Sequence, residues 1–216
     1  MRIIVGMTGA SGAPYGVRML EILRDIPAVE THLVISRAAA LTIRQECGLD
    51  LRTVEELADV VHKPSAIGAT IASGSFPVHA MLVAPCSIKT LSAIAHCYAN
   101  DLISRAADVC LKEGRPLLLM VRETPLHLGH LRTMTAAAEA GAILMPPAPA
   151  FYARPTSVED IVEHTVRRAL ARVGVPGAAP AEWDGRVENS RVENRRDRGD
   201  TDDTANGHVV PLRDGW

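Results

Sequence analysis

Short apolar runs alternate with segments of helical periodicity through most of this chain of 216 residues. The predicted strands are Arg2–Met7, Thr31–Ile35, Ala80–Ala84, Leu117–Val121 and Ala142–Met145. The predicted helices are Ala13–Arg24, Ala38–Gln45, Val54–Val61, Ile88–His96, Leu102–Glu113, Leu128–Glu139 and Val158–Val173. This alternation predicts an α/β fold in which helices cover both faces of a doubly wound parallel sheet. Ligands of such sheets bind beyond the carboxyl ends of the strands, so side chains that follow a strand are the first site candidates.

Composition excludes several classes of function. The net charge of −2 provides no basic surface for nucleic acid or an anionic membrane. The four cysteines lack CxxC spacing and lie in apolar patterns, as reduced core thiols do. No third ligand accompanies the pair His127 and His130, so we predict no metal site. No apolar run approaches the roughly 20 residues of a membrane span, and we expect a cytoplasmic protein.

We predict one domain over residues 1–175 and a tail over residues 176–216. The tail carries mixed charge and almost no apolar periodicity. Such a segment cannot bury enough surface to offset the entropy of ordering it, so we predict that it is disordered. The alternative is that Trp183 or Trp216 docks on a neighbouring molecule.

Two junctions between a predicted strand and a predicted helix have the composition of anion sites. At the first of these, Pro85 ends the run Ala80–Ala84, and Ser87, Lys89 and Thr90 follow at the start of a helix. Hydroxyls, an ammonium group and free backbone N–H groups at a helix N-terminus suit a phosphate. Ordinary helix capping beside a surface lysine is the alternative.

The other junction is the glycine-rich segment 6–12, which reads GMTGASG. Small residues let the backbone approach a phosphate or a ring closely, and Ser11 can cap a helix or contact a ligand. A tight turn without a ligand is the alternative. Two such junctions in one small domain indicate a phosphorylated cofactor, alone or with a phosphorylated substrate.

Several charged side chains are candidates for the same site. Glu46 shares a helical stripe with Ala39 and Ile43, which is unusual for a carboxylate without a partner. Exposure of Glu46 at the helix end is the alternative. Arg105 and Lys112 lie on one face of a predicted helix and can grip a phosphate, unless that face is simply solvated.

Further candidates follow the later strands. Arg122 and Glu123 come directly after the strand Leu117–Val121, where they either face a ligand or pair with each other. A proline-rich segment presents Tyr152 at a strand end, and Arg168 on the last helix can point toward the sheet. The proline-rich segment has an alternative interpretation as a polyproline ligand for another protein.

These motifs together resemble the UbiX-type flavin prenyltransferases, close to the bacterial enzymes of ubiquinone biosynthesis. The resemblance covers about residues 1–175 and is carried by GMTGASGAPYGVRMLE, IASGSF, APCSIKTLSAIAH, LISRAADVCLKEGRPLLLMVRETPLHLGHL and PAFYARP. It implies a flavodoxin-like fold and a homo-oligomer, generally a dodecamer, with sites shared between subunits. It also implies metal-independent transfer of a dimethylallyl group from dimethylallyl phosphate to N5 and C6 of reduced FMN. The product, prenylated FMN, would pass to a UbiD-type decarboxylase.

The resemblance also implies roles for individual residues. The FMN-binding positions are Gly9, Ala10, Ser11, Ser36, Ser87, Ile88, Lys89, Thr90 and Arg122. The positions that hold or adjoin the prenyl phosphate are Arg105, Lys112, Arg122, Tyr152 and Arg168. The positions that match catalytic residues are Ser11, Glu46, Lys112 and Glu123. Cations are expected to neutralise the leaving phosphate while Ser11 and Glu46 manage protons around N5.

One departure and two alternatives accompany the resemblance. Gly114 follows Lys112-Glu113 where the family usually has arginine, and it should affect helix termination more than chemistry. An FMN-dependent cysteine decarboxylase is the alternative enzyme, but its PASANT and PxMNxxMW segments are absent from the sequence. A non-catalytic FMN carrier is the third hypothesis, and it would not need Lys112, Tyr152 and Arg168 together.

Overall fold

The computed structural model describes residues 1–180. Its strands are β1 (Arg2–Met7), β2 (Glu30–Ile35), β3 (Val60–His62), β4 (Ala80–Cys86), β5 (Leu117–Val121) and β6 (Ile143–Leu144). Its helices are α1 (Ala13–Arg24), α2 (Arg37–Cys47), α3 (Leu51–Glu55), α4 (Ile88–Ala95), α5 (Leu102–Lys112), α6 (Leu128–Glu139) and α7 (Val158–Arg172). Most of the predicted disordered tail, from residue 181 onward, lies outside the described residues.

The six strands form one sheet in the order β3-β2-β1-β4-β5-β6, and every neighbouring pair is parallel. The register pairs Met7 with Ile35 across β1 and β2, and Gly6 with Val83 across β1 and β4. Because the strand order reverses between β1 and β4, their carboxyl ends border a crevice. The predicted doubly wound α/β architecture is confirmed.

Each face of the sheet has its own apolar core. On one face, Val5 packs with Leu20 of α1 and Val166 of α7. On the other face, Ile4 packs with Ile103 of α5. These side chains are fully buried or nearly so, and each contributes roughly 1.5–3 kcal/mol through burial. The two cores fix the strand ends, from which the site is built.

The predicted helix Val54–Val61 is wrong over six of its eight residues, because only Val54 and Glu55 are helical. Helix α3 ends at Glu55, and Val60–His62 forms β3, which pairs with His32–Val34 at the edge of the sheet. Three residues are too few for an alternating pattern to identify a strand. Tertiary pairing decides the outcome here, because β2 would otherwise expose a row of unpaired N–H and C=O groups.

Strand β4 also runs further than predicted. It continues through Pro85 to Cys86, and its register against β5 shifts between Val83 and Cys86. Proline has no N–H for the ladder, so it is tolerated where pairing is irregular. The extension determines where the turn after β4 begins, and that turn belongs to the candidate site.

The last helix ends the described fold. Ser157 and Asp160 form a capping box at the start of α7. Packing continues after the helix to Val175 and Ala178, both of which are buried. The packed chain therefore extends slightly past the predicted domain boundary at residue 175.

Candidate functional site

A cavity of about 560 Å³ opens at the carboxyl ends of β1, β2 and β4. Its walls are Thr8, Gly9, Ser36, Arg37, Ala38, Leu41, Pro64, Ser87, Lys89, Thr90 and Asp101. The volume falls within the roughly 300–1,000 Å³ typical of small-molecule sites. The predicted FMN-binding positions in this lining are Gly9, Ser36, Ser87, Lys89 and Thr90. Loops that are far apart in sequence meet here because parallel strands end at the same edge.

Two helices begin at the wall of this cavity. The Ser36 hydroxyl caps α2 by accepting the Ala39 N–H at 3.1 Å. The Ser87 hydroxyl caps α4 by accepting the Thr90 N–H at 3.4 Å, and it donates to Thr90 Oγ1 at 3.2 Å. The sequence left helix capping and ligand binding as alternatives for this junction. The two roles are compatible, because the residues that cap α2 and α4 also line the cavity. The positive ends of two helix dipoles, together with Lys89, make this cavity suitable for a phosphate.

Gly9 lets the loop after β1 lie directly against the start of α2. A Cβ at this position would be 2.3 Å from the Ala38 Cβ, so no side chain fits. Ala10 and Ser11 continue the loop, and Ile88 starts α4 while packing against the apolar core. The glycine-rich segment is thus a close-packed cavity wall.

Sequence reasoning missed Thr8, which also lines the cavity. Its side chain is almost fully buried. The Thr8 hydroxyl donates to the Pro85 carbonyl at 2.7 Å and accepts the Ser87 N–H at 2.8 Å. The available signal was a hydroxyl placed directly after a buried strand, inside the glycine-rich segment.

Glu46, near the end of α2, caps the start of α1. Its Oε2 accepts the N–H groups of Gly12 and Ala13, both at 2.8 Å, and the nearby Ser11 hydroxyl helps to lower the pKa of the carboxylate. Glu46 is exposed, as the alternative predicts, but its carboxylate has these partners. Desolvation of the carboxylate raises its pKa, but these interactions and the charge of Arg122 outweigh that effect, and the pKa lies below its ordinary value. The anion at the junction after β1 is therefore a carboxylate of the protein itself.

Arg122 extends this group from the end of β5. Its positive charge favours the ionised forms of both Glu46 and Tyr15. Burial nevertheless raises the pKa of Tyr15 above its usual value. Glu123 is exposed and its Oε1 accepts the Thr124 N–H at 3.1 Å, and the salt bridges within residues 1–180 do not include an Arg122–Glu123 pair. The structure thus brings Ser11, Glu46 and Arg122 together and leaves Glu123 beside them.

Arg105 and Lys112 lie on one face of α5, as predicted, and seven residues of helix separate them by roughly 10 Å. Arg105 Nη1 is 2.8 Å from Asp108 Oδ2, and Lys112 Nζ is 2.5 Å from Glu113 Oε1. Any anion that binds these cations must therefore compete with a neighbouring carboxylate.

Helix α5 carries Lys112 away from the cavity. The helix starts after Asp101, on the cavity wall, and its last turn lies beside Gly74. The following residue Arg115 donates to the carbonyls of Gly74 and Phe76, which precede β4. Since β4 has seven residues, its two ends are roughly 20 Å apart. Within one chain, Lys112 therefore lies near the amino ends of the strands, and the cavity lies at their carboxyl ends.

Tyr152 and Arg168 share a second pocket of about 300 Å³ beyond the end of β6. Proline and alanine residues of the loop after β6 form part of its lining. The Tyr152 ring meets His164 of α7 edge to face, with ring centroids 5.7 Å apart. The structure confirms neither of these residues as a ligand contact, but it places them in one concave surface, separate from Lys112.

The described residues contain no group of three or more histidine, cysteine, aspartate or glutamate side chains that could hold a metal. His127 and His130 stack with ring centroids 3.6 Å apart, and His127 Nδ1 accepts the Gly129 N–H at the start of α6. His127 therefore caps the start of α6. Within residues 1–180, no helix is long and apolar enough to cross a membrane.

Comparisons with known proteins agree with this geometry. The family model described as Flavoprotein matches residues 1–170. Flavin prenyltransferase UbiX of Salmonella typhimurium is 58% identical over 175 residues, which are 81% of this chain and 93% of that protein. Flavin prenyltransferase UbiX of Escherichia coli K12 is 56% identical over 186 residues, 85% of this chain and 98% of that protein.

Solved structures extend the comparison. A UbiX crystal structure in complex with FMN and dimethylallyl pyrophosphate has a TM-score of 0.82 and 46% identity over 85% of this chain and 97% of that one. A dodecameric FMN-dependent UbiX-like decarboxylase from Escherichia coli O157:H7 has a TM-score of 0.79 and 52% identity, over 81% of this chain and 95% of that one. The FMN-dependent cysteine decarboxylase SpaF is only 17% identical, so it shares the fold alone.

Proposed function

The chain belongs to the flavoprotein family as a UbiX-type flavin prenyltransferase, and we propose that its cavity at the ends of β1, β2 and β4 is where FMN binds. The enzyme transfers a dimethylallyl group to FMN. The observation that carries the proposed location is the convergence of Ser36, Ser87 and Lys89 around two helix N-termini, with Gly9 allowing close backbone approach. This donor set suits the phosphate of FMN.

Reduced FMN supplies the nucleophilic N5 and C6 atoms when it is bound. Glu46 and Ser11 are assigned to proton handling near these atoms, because the Ser11 hydroxyl lies near the carboxylate and helps to lower its pKa. The lowered pKa of Glu46 keeps its carboxylate ionised at neutral pH, so it can accept a proton or a hydrogen bond, but it is a weak base. Arg122 is assigned to both ligands, since it lies beside Glu46 at the same edge of the sheet.

The donor phosphate requires cations, because the phosphate becomes a more charged leaving group as its bond to carbon breaks. Tyr152 and Arg168 already share a pocket. Lys112 lies at the opposite edge of the sheet, so we assign it, with Arg105, to the site of a neighbouring subunit. A dodecameric relative at 52% identity supports such an assembly, as does the resemblance to a family whose subunits share sites.

A direct test is anaerobic incubation with reduced FMN and dimethylallyl phosphate or pyrophosphate, followed by mass analysis of the extracted flavin. We expect the flavin to gain one five-carbon unit. The amounts of product formed with the two donors show whether the enzyme prefers the monophosphate or the pyrophosphate. Tight FMN binding with an unchanged flavin mass would favour the carrier hypothesis. Release of CO₂ from a peptide with a C-terminal cysteine would favour the cysteine decarboxylase.

The use of the product and the compartment of the enzyme are also part of the proposal. We infer that prenylated FMN passes to a UbiD-type decarboxylase in ubiquinone biosynthesis and that the enzyme works in the cytoplasm. The unpaired cysteines of the described region, including buried Cys86 and Cys110, suit a reducing compartment. Reconstitution of a flavin-free UbiD-type decarboxylase with the reaction product tests the first inference, and cell fractionation tests the second.

A further inference from the structure

Thr8 joins the two loops that form the proposed FMN cavity. Regular pairing of β1 with β4 reaches only as far as Gly6 and Val83. Beyond that point, the Thr8 N–H donates to the Pro85 carbonyl at 3.2 Å, and the Thr8 hydroxyl donates to the same oxygen at 2.7 Å. The hydroxyl also accepts the Ser87 N–H at 2.8 Å. One residue therefore replaces the missing ladder with three hydrogen bonds.

These bonds decide which groups of the turn after β4 remain available to a ligand. Ser87 is the cap of α4, and its own N–H is occupied by Thr8. The first N–H groups inside a helix have no partner within it, so those of Ile88 and Lys89 are left for an anion. Residue Thr8 is only 2% exposed. Its hydroxyl is therefore buried, which favours a fixed geometry for its hydrogen bonds.

We propose that Thr8 is a positioning residue that holds the start of α4 in the orientation required to bind the phosphate of FMN. It acts through Ser87 and not through the isoalloxazine ring. This inference rests on the proposed location of the FMN phosphate. A purely structural role is the competing explanation, and it predicts that all flavins are affected alike.

The test compares FMN with riboflavin, which lacks the phosphate. Thr8→Val keeps the shape of the side chain but removes the hydroxyl, so the Ser87 N–H loses its partner and the turn is free to shift. We expect FMN affinity to fall about tenfold or more in fluorescence titrations, while riboflavin affinity changes less than about twofold. Thr8→Ser retains the hydroxyl and should restore the wild-type FMN affinity.

Thr31→Val is the matched control. Thr31 is 1% exposed near the amino end of β2, and its hydroxyl has no hydrogen-bond partner among the described residues. The same substitution there should leave affinity for both flavins unchanged. If Thr8→Val does not yield folded protein, Thr8→Ala against Thr8→Ser tests the same hydroxyl. Thermal unfolding of each variant separates lost folding from lost binding.

Equal losses of affinity for FMN and riboflavin in Thr8→Val would overturn the proposal, and so would an unchanged FMN affinity in that variant. If the wild-type enzyme does not distinguish FMN from riboflavin, the proposed phosphate site itself is wrong, whatever Thr8 does.

Discussion

Glu46 connects the end of one helix to the start of another. Its side chain extends from α2 and accepts hydrogen bonds from the first N–H groups of α1. The loop Gly9–Gly12 is therefore held between the two helices. A carboxylate in this position satisfies donors that every helix N-terminus leaves free. The residue that the resemblance assigns to catalysis therefore also stabilises the wall of the site.

Glu46→Gln should weaken this cap. We expect a loss of about 0.5–2 kcal/mol in the free energy of unfolding at neutral pH, since an amide oxygen is a poorer acceptor than a carboxylate. Because the folded-state pKa of Glu46 is lowered, the stabilisation is complete above the ordinary glutamate pKa of about 4.3 and disappears as pH falls through the folded-state value. Urea unfolding between neutral and acidic pH measures both effects.

The same substitution should leave FMN binding largely intact while turnover falls. Glu139→Gln, an exposed substitution at the end of α6, is the control for a generic loss of charge. An unfolding free energy that depends on pH identically in wild type and Glu46→Gln would show that the cap contributes nothing. Wild-type turnover in Glu46→Gln would remove the residue from the mechanism.

At the scale of elements, the loop after β1 and helix α2 are packed too closely to admit a side chain at Gly9. Gly9→Ala places a methyl group where the Ala38 Cβ is only 2.3 Å away. One of the two elements must move, and both line the cavity, so we expect FMN affinity to fall at least tenfold. Gly68→Ala is the control, because a Cβ there meets nothing within 4 Å. Equal flavin affinity in the two variants would contradict the prediction.

The edge strand β3 is joined to β2 by a pair of histidines. His32 Nδ1 is 2.9 Å from His62 Nε2, and His32 Nε2 is 3.0 Å from Glu30 Oε1. Arg2 pairs with the same glutamate at 3.0 Å, and the Asp59 carboxylate accepts a backbone N–H of β2. Burial, and then the proximity of His32, lowers the pKa of His62.

This pair predicts a pH dependence of the β3 edge. A lowered histidine pKa means that the unfolded chain binds the proton more readily, so stability falls as pH decreases from about 6.5 through the folded-state value. His62→Gln should lose less stability than wild type over this range, as measured by urea unfolding at pH 7 and pH 5. Hydrogen exchange of the β3 amides should show the same difference. Parallel pH profiles for the two proteins would exclude a role for His62.

Sequence patterns succeeded where an element is long and its environment uniform. Strand β5 and helices α1 and α6 have their predicted bounds, because a buried run or a full helical stripe carries its own signal. Strand β3 was missed because three half-exposed residues carry no such signal. The extra residues of β4 were missed because Pro85 ordinarily ends a strand, and only its neighbours β1 and β5 allow it to continue.

At the scale of the whole molecule, Lys112 lies apart from the other predicted site residues within one chain. Lys112 is near the amino ends of the strands, while Glu46 and Arg122 lie at their carboxyl ends. If subunits share sites as proposed, each complete site takes these residues from different copies of the chain. The oligomer is then required for catalysis as well as for stability.

Mixing two inactive variants tests this arrangement. Lys112→Ala and Arg122→Ala should each lose most activity, by about 10²–10³ in rate if both act on the transition state. When equal amounts are unfolded and refolded together, about one quarter of the sites should contain both wild-type residues, and activity should recover to that extent. Each variant refolded alone is the control. The absence of recovery in an assembly shown to be mixed would place Lys112 and Arg122 in the same subunit or outside the site.

Sequence alone determined the fold class, the strand-to-helix junctions and the residue types available for flavin and phosphate, because local periodicity and turn composition are written in consecutive residues. The resemblance carried by its motifs implied that Ser36, Ser87, Lys89 and Thr90 bind one ligand, and the structure places all four on one cavity. Only the tertiary structure decided that Glu46 occupies the N-terminus of α1, that Thr8 links the two loops and that Lys112 lies at the opposite edge. Those facts depend on contacts between residues that are distant in sequence, and such contacts form only when the sheet has brought its loops together.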